Sequence, residues 1–130
     1  MMRSLLQKKS YGSVKVFWFD RELALYLAKE ACRKIISSEK DVVKVGIFGS
    51  VAKGNAAPGS DLDILIVVKE CALKPLERSE RFLPYFKELD IGVDLFCYTL
   101  EEAKRSSFFQ ENAKEAIWVC RAGHDLSNVN

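Results

Sequence analysis

From Leu23 onward an apolar residue returns every fourth position, at Leu23, Leu27, Ala31 and Ile35, and Ala24, Ala28 and Cys32 fill the adjoining line. That spacing predicts an amphipathic helix from about Arg21 to Ser38, with Asp20 placed to cap it. The pattern then changes. Val42 to Phe48 and Leu62 to Val68 are short runs, β-branched and apolar at almost every position, which predicts two strands covered on both faces. Between them Gly49 to Ser60 carries Gly54, Pro58 and Gly59, the composition of a short helical turn followed by a loop.

Beyond the second strand, Pro75 to about Leu89 is charged with Leu76, Phe82, Leu83 and Phe86 interspersed, a helix able to cross a sheet that Pro84 should kink or end. Ile91 to Tyr98 predicts a third strand. Thr99 is placed to cap a helix opening on Glu101 and Glu102, and Phe109, Ala113, Ala116 and Ile117 make the apolar line of a last helix. The order is helix, strand, turn, strand, helix, strand, helix, helix. It predicts an α/β (α+β) fold, a small mixed sheet flanked by helices, as a single domain over residues 1–130.

Composition narrows the function classes. With 48% hydrophobic and 29% charged residues the chain can bury a core, and a formal charge of +2 announces neither a nucleic-acid nor a membrane partner. Arg3, Lys8 and Lys9 read as a solvated arm. Cys32, Cys71, Cys97 and Cys120 lack the paired spacing of a zinc or thioredoxin-like redox site and read as buried free thiols. No stretch has the length of a membrane span or the apolar run of a secretory signal, so the expected location is the cytoplasm.

The chemistry lies at the strand ends. Asp61 and Asp63 sit two apart at the start of a strand, so both carboxylates point the same way while Leu62 and Ile64 face the packing. Two carboxylates side by side repel unless a cation lies between them, and magnesium is the cation that takes a few hard oxygens from protein and the rest from water and phosphate. Asp94 supplies a third carboxylate, sharing a face with Gly92 and Phe96. If the first two strands are antiparallel and the third returns parallel to the second, Gly49, Ser50, Asp61, Asp63 and Asp94 meet at one edge. Gly49 lets backbone approach a phosphate and Ser50 adds a hydroxyl and an N–H, a cradle for a triphosphate. Metal there would orient a hydroxyl for in-line attack at the α-phosphorus, and Asp94 would take its proton, directly or by binding the metal that acidifies it.

Other features carry less. Phe17, Trp18 and Phe19 run consecutively and, like Phe108 and Phe109, are expected mainly in the core, with one exposed ring as a possible protein contact. His124, in a polar tail, is given no role. A nucleotide-sugar site built on Asp61-x-Asp63 would leave Gly49-Ser50 unexplained.

The run Gly49-Ser50-Val51-Ala52-Lys53-Gly54, followed by Ser60-Asp61-Leu62-Asp63-Ile64-Leu65-Ile66-Val67 and by Val93-Asp94-Leu95, resembles the minimal nucleotidyltransferases of the DNA polymerase β superfamily. The resemblance spans about Val42 to Tyr98. It implies two magnesium sites on Asp61, Asp63 and Asp94 and a nucleoside triphosphate, ATP, held near Gly49, Ser50, Lys53 and Ser60. Lys53 departs from the arginine of many relatives and gives up bidentate phosphate geometry. At this length the chain is expected to lack the second domain with which larger relatives hold acceptors. Stand-alone members of this size resemble the antitoxin of a toxin–antitoxin pair, which implies AMP transfer to a hydroxyl of a small all-helical partner protein. The alternative is a binding module that neutralises that partner by contact alone.

Overall fold

A computed structural model of the chain describes residues 6–11, 14–57, 59–71 and 73–120. Arg3, Pro58 and His124 lie outside them. The first elements are two strands, β1 (Leu6–Tyr11) and β2 (Val14–Phe19), paired antiparallel with Tyr11 opposite Val14. Lys8 and Lys9 of the expected arm lie on β1. The side chains of Phe17, Trp18 and Phe19 are outside what is described.

Helix α1 (Arg21–Ser38) has the expected bounds, and the Asp20 side chain accepts from the Leu23 N–H at 3.1 Å, a cap of about 1 kcal/mol. Strand β3 (Val42–Phe48) runs into the short helix α2 (Gly49–Lys53), and a loop leads to β4 (Leu62–Val68). Helix α3 (Pro75–Phe82) passes into a 3₁₀ turn, Leu83–Phe86, where Pro84 sits, as its missing N–H requires. Strand β5 (Val93–Thr99) follows, then α4 (Leu100–Arg105), capped by Thr99 through a reciprocal bond with Glu102, and α5 (Ser107–Ala113), capped by Ser106.

One expectation fails. The helix assigned to Ala113, Ala116 and Ile117 stops at Ala113, and β6 (Ile117–Cys120) is a strand. Ala116 and Ile117 continue the helical spacing by coincidence, but β3 offers an edge to pair with, and tertiary pairing overrides local pattern.

The main sheet has the order β5-β4-β3-β6. β3 is antiparallel to both β4 and β6, and β5 is parallel to β4, the mixed sheet expected from the crossover. One face is packed by α1, α3 and the 3₁₀ turn, through Ala24, Ala28, Ile35, Ile47, Ile64, Ile66 and Phe82. The other carries Leu65, Val67, Ala103 and Phe109 under α4 and α5. Fully buried Leu, Ile and Val side chains each contribute about 1.5–3 kcal/mol, so the two central strands, not the caps, dominate the stability.

Three side-chain ties hold these elements together. Arg78 of α3 is buried and donates to both carboxylate oxygens of Glu102 on α4, with Nη2 to Oε2 at 3.1 Å. Arg81 bonds Glu39 and Asp41 beside the start of β3. Trp118 of β6 lies over Gly46 and donates Nε1–H to the Ala113 carbonyl at 3.2 Å, with Lys44 Nζ 3.8 Å from its ring centroid. All four cysteines are free. Cys32 and Cys97 are buried, as expected, while Cys71 and Cys120 are only half-buried.

Candidate active site

The carboxylates are placed by strand register. Asp63 pairs with Phe48 on β3 and with Asp94 on β5, so Phe48, Asp63 and Asp94 form one cross-strand row. Side chains of paired residues share a face, which puts Asp94 beside Asp63, on the side that also carries Leu65 and Phe96. Asp61 lies one pleat back, beside Gly92, whose carbonyl accepts the Leu62 N–H at 2.8 Å. The expected convergence of Asp61, Asp63 and Asp94 on one sheet end is therefore present.

Two glycines make room for this row. A Cβ on Gly49 would stand 2.1 Å from Asp63 Oδ2, and one on Gly92 would stand 2.3 Å from Asp61 Oδ1. Gly49 also has a φ of +77°, a conformation that side-chain-bearing residues rarely adopt. The glycine before Ser50 thus has two physical reasons to be glycine: it turns the chain from β3 into α2, and it leaves the space that the Asp63 carboxylate occupies.

Electrostatics mark Asp63. Its pKa is raised above the ordinary carboxylate value, first by burial and then by the negative charges of Asp94 and Asp61. Asp61 and Asp94 are exposed and Asp63 is half-buried. Among the described residues no three acidic, His or Cys side chains converge tightly enough to constitute a preformed metal site. The donor set nevertheless suits a hard divalent cation: oxygen ligands alone, mutually repelling, at one end of the sheet.

The supporting loop is well tied. Ser60 closes a turn with Ala57, its N–H donating to the Ala57 carbonyl at 2.9 Å and its hydroxyl accepting the Ala57 N–H at 3.0 Å, which presents Asp61. Gly54, at a φ of +84°, ends α2 with its N–H on the Ser50 carbonyl at 3.0 Å. Lys53 reaches Glu115, 3.2 Å away, just before β6. The sequence pattern did not single out Arg21, which donates Nε–H to Val51 O at 2.9 Å and Nη2–H to Ala52 O at 2.8 Å. It thereby satisfies last-turn carbonyls of α2 that a five-residue helix leaves open. No signal in the sequence links positions thirty residues apart.

Phe109 is fully buried, as expected, but Phe108 is 42% exposed. Its ring lies 5.1 Å from that of Phe96 and 6.0 Å from that of Phe48, on the face that carries Asp63 and Asp94.

A mixed α/β sheet with a glycine-serine turn and three carboxylates at one end defines the class of the site: an acidic centre suited to a polyphosphate and a divalent cation. Comparison with known proteins names the family. The family model of the nucleotidyltransferase domain matches residues 29–120, and the chain belongs to that family. Among solved structures it is similar to a candidate nucleotidyltransferase from Sulfolobus solfataricus, at 26% identity and a TM-score of 0.57, over 82% of this chain and 89% of that one. No curated protein matches the chain. It is a nucleotidyltransferase, a transferase whose substrate is a nucleotide. Among the described residues no helix is long and apolar enough to cross a membrane.

Proposed function

We propose that the chain transfers AMP from ATP, in the presence of magnesium, to a hydroxyl of a small all-helical partner protein and so acts as the antitoxin of a toxin–antitoxin pair. The observation that carries the chemistry is the row in which Asp63 and Asp94 stand side by side, with Asp61 one pleat away and the Gly49 turn against Asp63. Asp61, Asp63 and Asp94 would hold the magnesium, which supplies neutralisation of triphosphate charge and polarisation of the α-phosphate. Gly49 admits the phosphates to the backbone, and Ser50 adds a hydroxyl donor.

The acceptor oxygen attacks the α-phosphorus, the bond to the bridging oxygen breaks, pyrophosphate leaves, and Asp94 takes the acceptor's proton. Asp94 suits that role because it is exposed and stands on β5, an outer strand of the sheet, where an acceptor has access. The protein acceptor, the adenine nucleotide and the antitoxin role rest on the likeness to stand-alone members of the family. The test is incubation with α-labelled ATP and magnesium, alone and with the small helical protein that co-purifies from the host. Label is expected on the partner and absent with Asp61→Asn or Asp63→Asn. A tight unlabelled complex that those variants still form would replace transfer by neutralisation through contact.

A further inference from the structure

Strand register places a second row directly behind the carboxylates. Gly46, Leu65 and Phe96 are partners across β3, β4 and β5, two residues along from Phe48, Asp63 and Asp94 and on the same face. Two residues of strand span about 6.6 Å. Over these rows stands the ring of Phe108, in contact with Phe48 and Phe96, whose own rings meet edge-on at 5.6 Å. Helix α5 buries Phe109 completely and leaves Phe108 42% exposed, so core packing accounts for the first ring and not for the exposed side of the second. An exposed aromatic adjoining an acidic centre calls for a flat apolar group that is attached to the chemistry of that centre.

We propose that Phe108 and Phe96, backed by Phe48, form the platform on which the base of the incoming nucleotide stacks. The inference rests on the nucleotidyltransferase reading and extends it to the base. With the α-phosphate at Asp63 and Asp94, the base lies a ribose's width away, which is the span from that row to the Phe96 row. The three rings bear no hydrogen-bonding group, so the platform reads the π-face of a base and not its edge. It favours purines over pyrimidines by stacking area and does not distinguish adenine from guanine.

The test is calorimetric binding to the full chain with magnesium, using ATP and inorganic tripolyphosphate, which has the charge and lacks the base. The variants are Phe108→Ala, on an exposed position, and Phe108→Trp. The wild type is expected to bind ATP more tightly than tripolyphosphate. Phe108→Ala should lose about tenfold or more in ATP affinity, leave tripolyphosphate unchanged, and be rescued by Phe108→Trp. Equal ATP affinity in wild type and Phe108→Ala would overturn the platform and leave the ring to a protein contact. Parallel loss of both ligands would overturn it in favour of a structural role. Failure of the wild type to bind either ligand would remove the nucleotide reading itself, and the platform with it.

Discussion

Replacing Gly49 by alanine perturbs the site in two ways that other glycines of the chain separate. At a φ of +77° an alanine is strained, at a cost of about 1–3 kcal/mol. Its Cβ would also meet Asp63 Oδ2 at 2.1 Å, and because real contacts stop near 3.0 Å the carboxylate must move by about 0.9 Å. Misplacement of a reacting group by about 1 Å costs on the order of 100-fold in rate. Gly59→Ala provides the strain alone, since Gly59 has a φ of +92° and nothing within 4 Å of the added carbon. Gly92→Ala provides displacement alone, pushing Asp61 from ordinary backbone. Thermal denaturation and single-turnover transfer from α-labelled ATP should therefore divide the three. Gly59→Ala loses stability and keeps its rate, Gly92→Ala loses rate with little stability, and Gly49→Ala loses both. A Gly49→Ala protein that is folded and transfers at the wild-type rate would refute the claim that this glycine exists to seat Asp63.

Further outcomes follow from the ties that hold the site. Glu102→Gln should cost about 3 kcal/mol in urea denaturation, because it leaves the buried Arg78 guanidinium without its counter-charge. The Arg78 guanidinium, and then the Thr99 N–H, hold the Glu102 carboxyl at about 2, below its ordinary 4.5. Its contribution is therefore complete above pH 4.5 and drains away as the pH falls toward 2, so the stability gap between wild type and Glu102→Gln should close over that window. Arg21→Ala should remove two bonds to the end of α2, weaken the fold by about 1–3 kcal/mol, and raise KM for the triphosphate more than it lowers kcat. Gly46→Ala places a carbon 2.8 Å from the Trp118 ring and should destabilise β6 pairing by about 1–3 kcal/mol, read as a lower denaturation midpoint.

Much of this arrangement was legible in the residues because local pattern and global fold agree there. The Asp20 cap and the fourfold spacing gave α1 its bounds, and the unbroken apolar runs gave β3 and β4 theirs. The period of a strand and the length of the crossover were enough to set Asp94 beside Asp63. What escaped depends on partners distant in sequence. β6 is four residues long and its first residues extend the helical spacing of α5, so only the open edge of β3 makes it a strand. The bonds of Arg21 to α2 and of Arg78 to α4 span 31 and 24 residues at most and leave no periodic trace. Phe108 and Phe109 are indistinguishable by type, and the direction of α5 alone sends one inward and the other to the surface.

Whether Asp61, Asp63 and Asp94 act together as the cation-holding end of the sheet is read from manganese binding, followed by its electron paramagnetic resonance signal in the presence of a non-hydrolysable triphosphate. Nucleotide-dependent binding of two ions per chain is expected in the wild type, with its loss in Asp63→Asn and Asp94→Asn variants that remain folded. Undiminished binding in both variants would contradict that joint role.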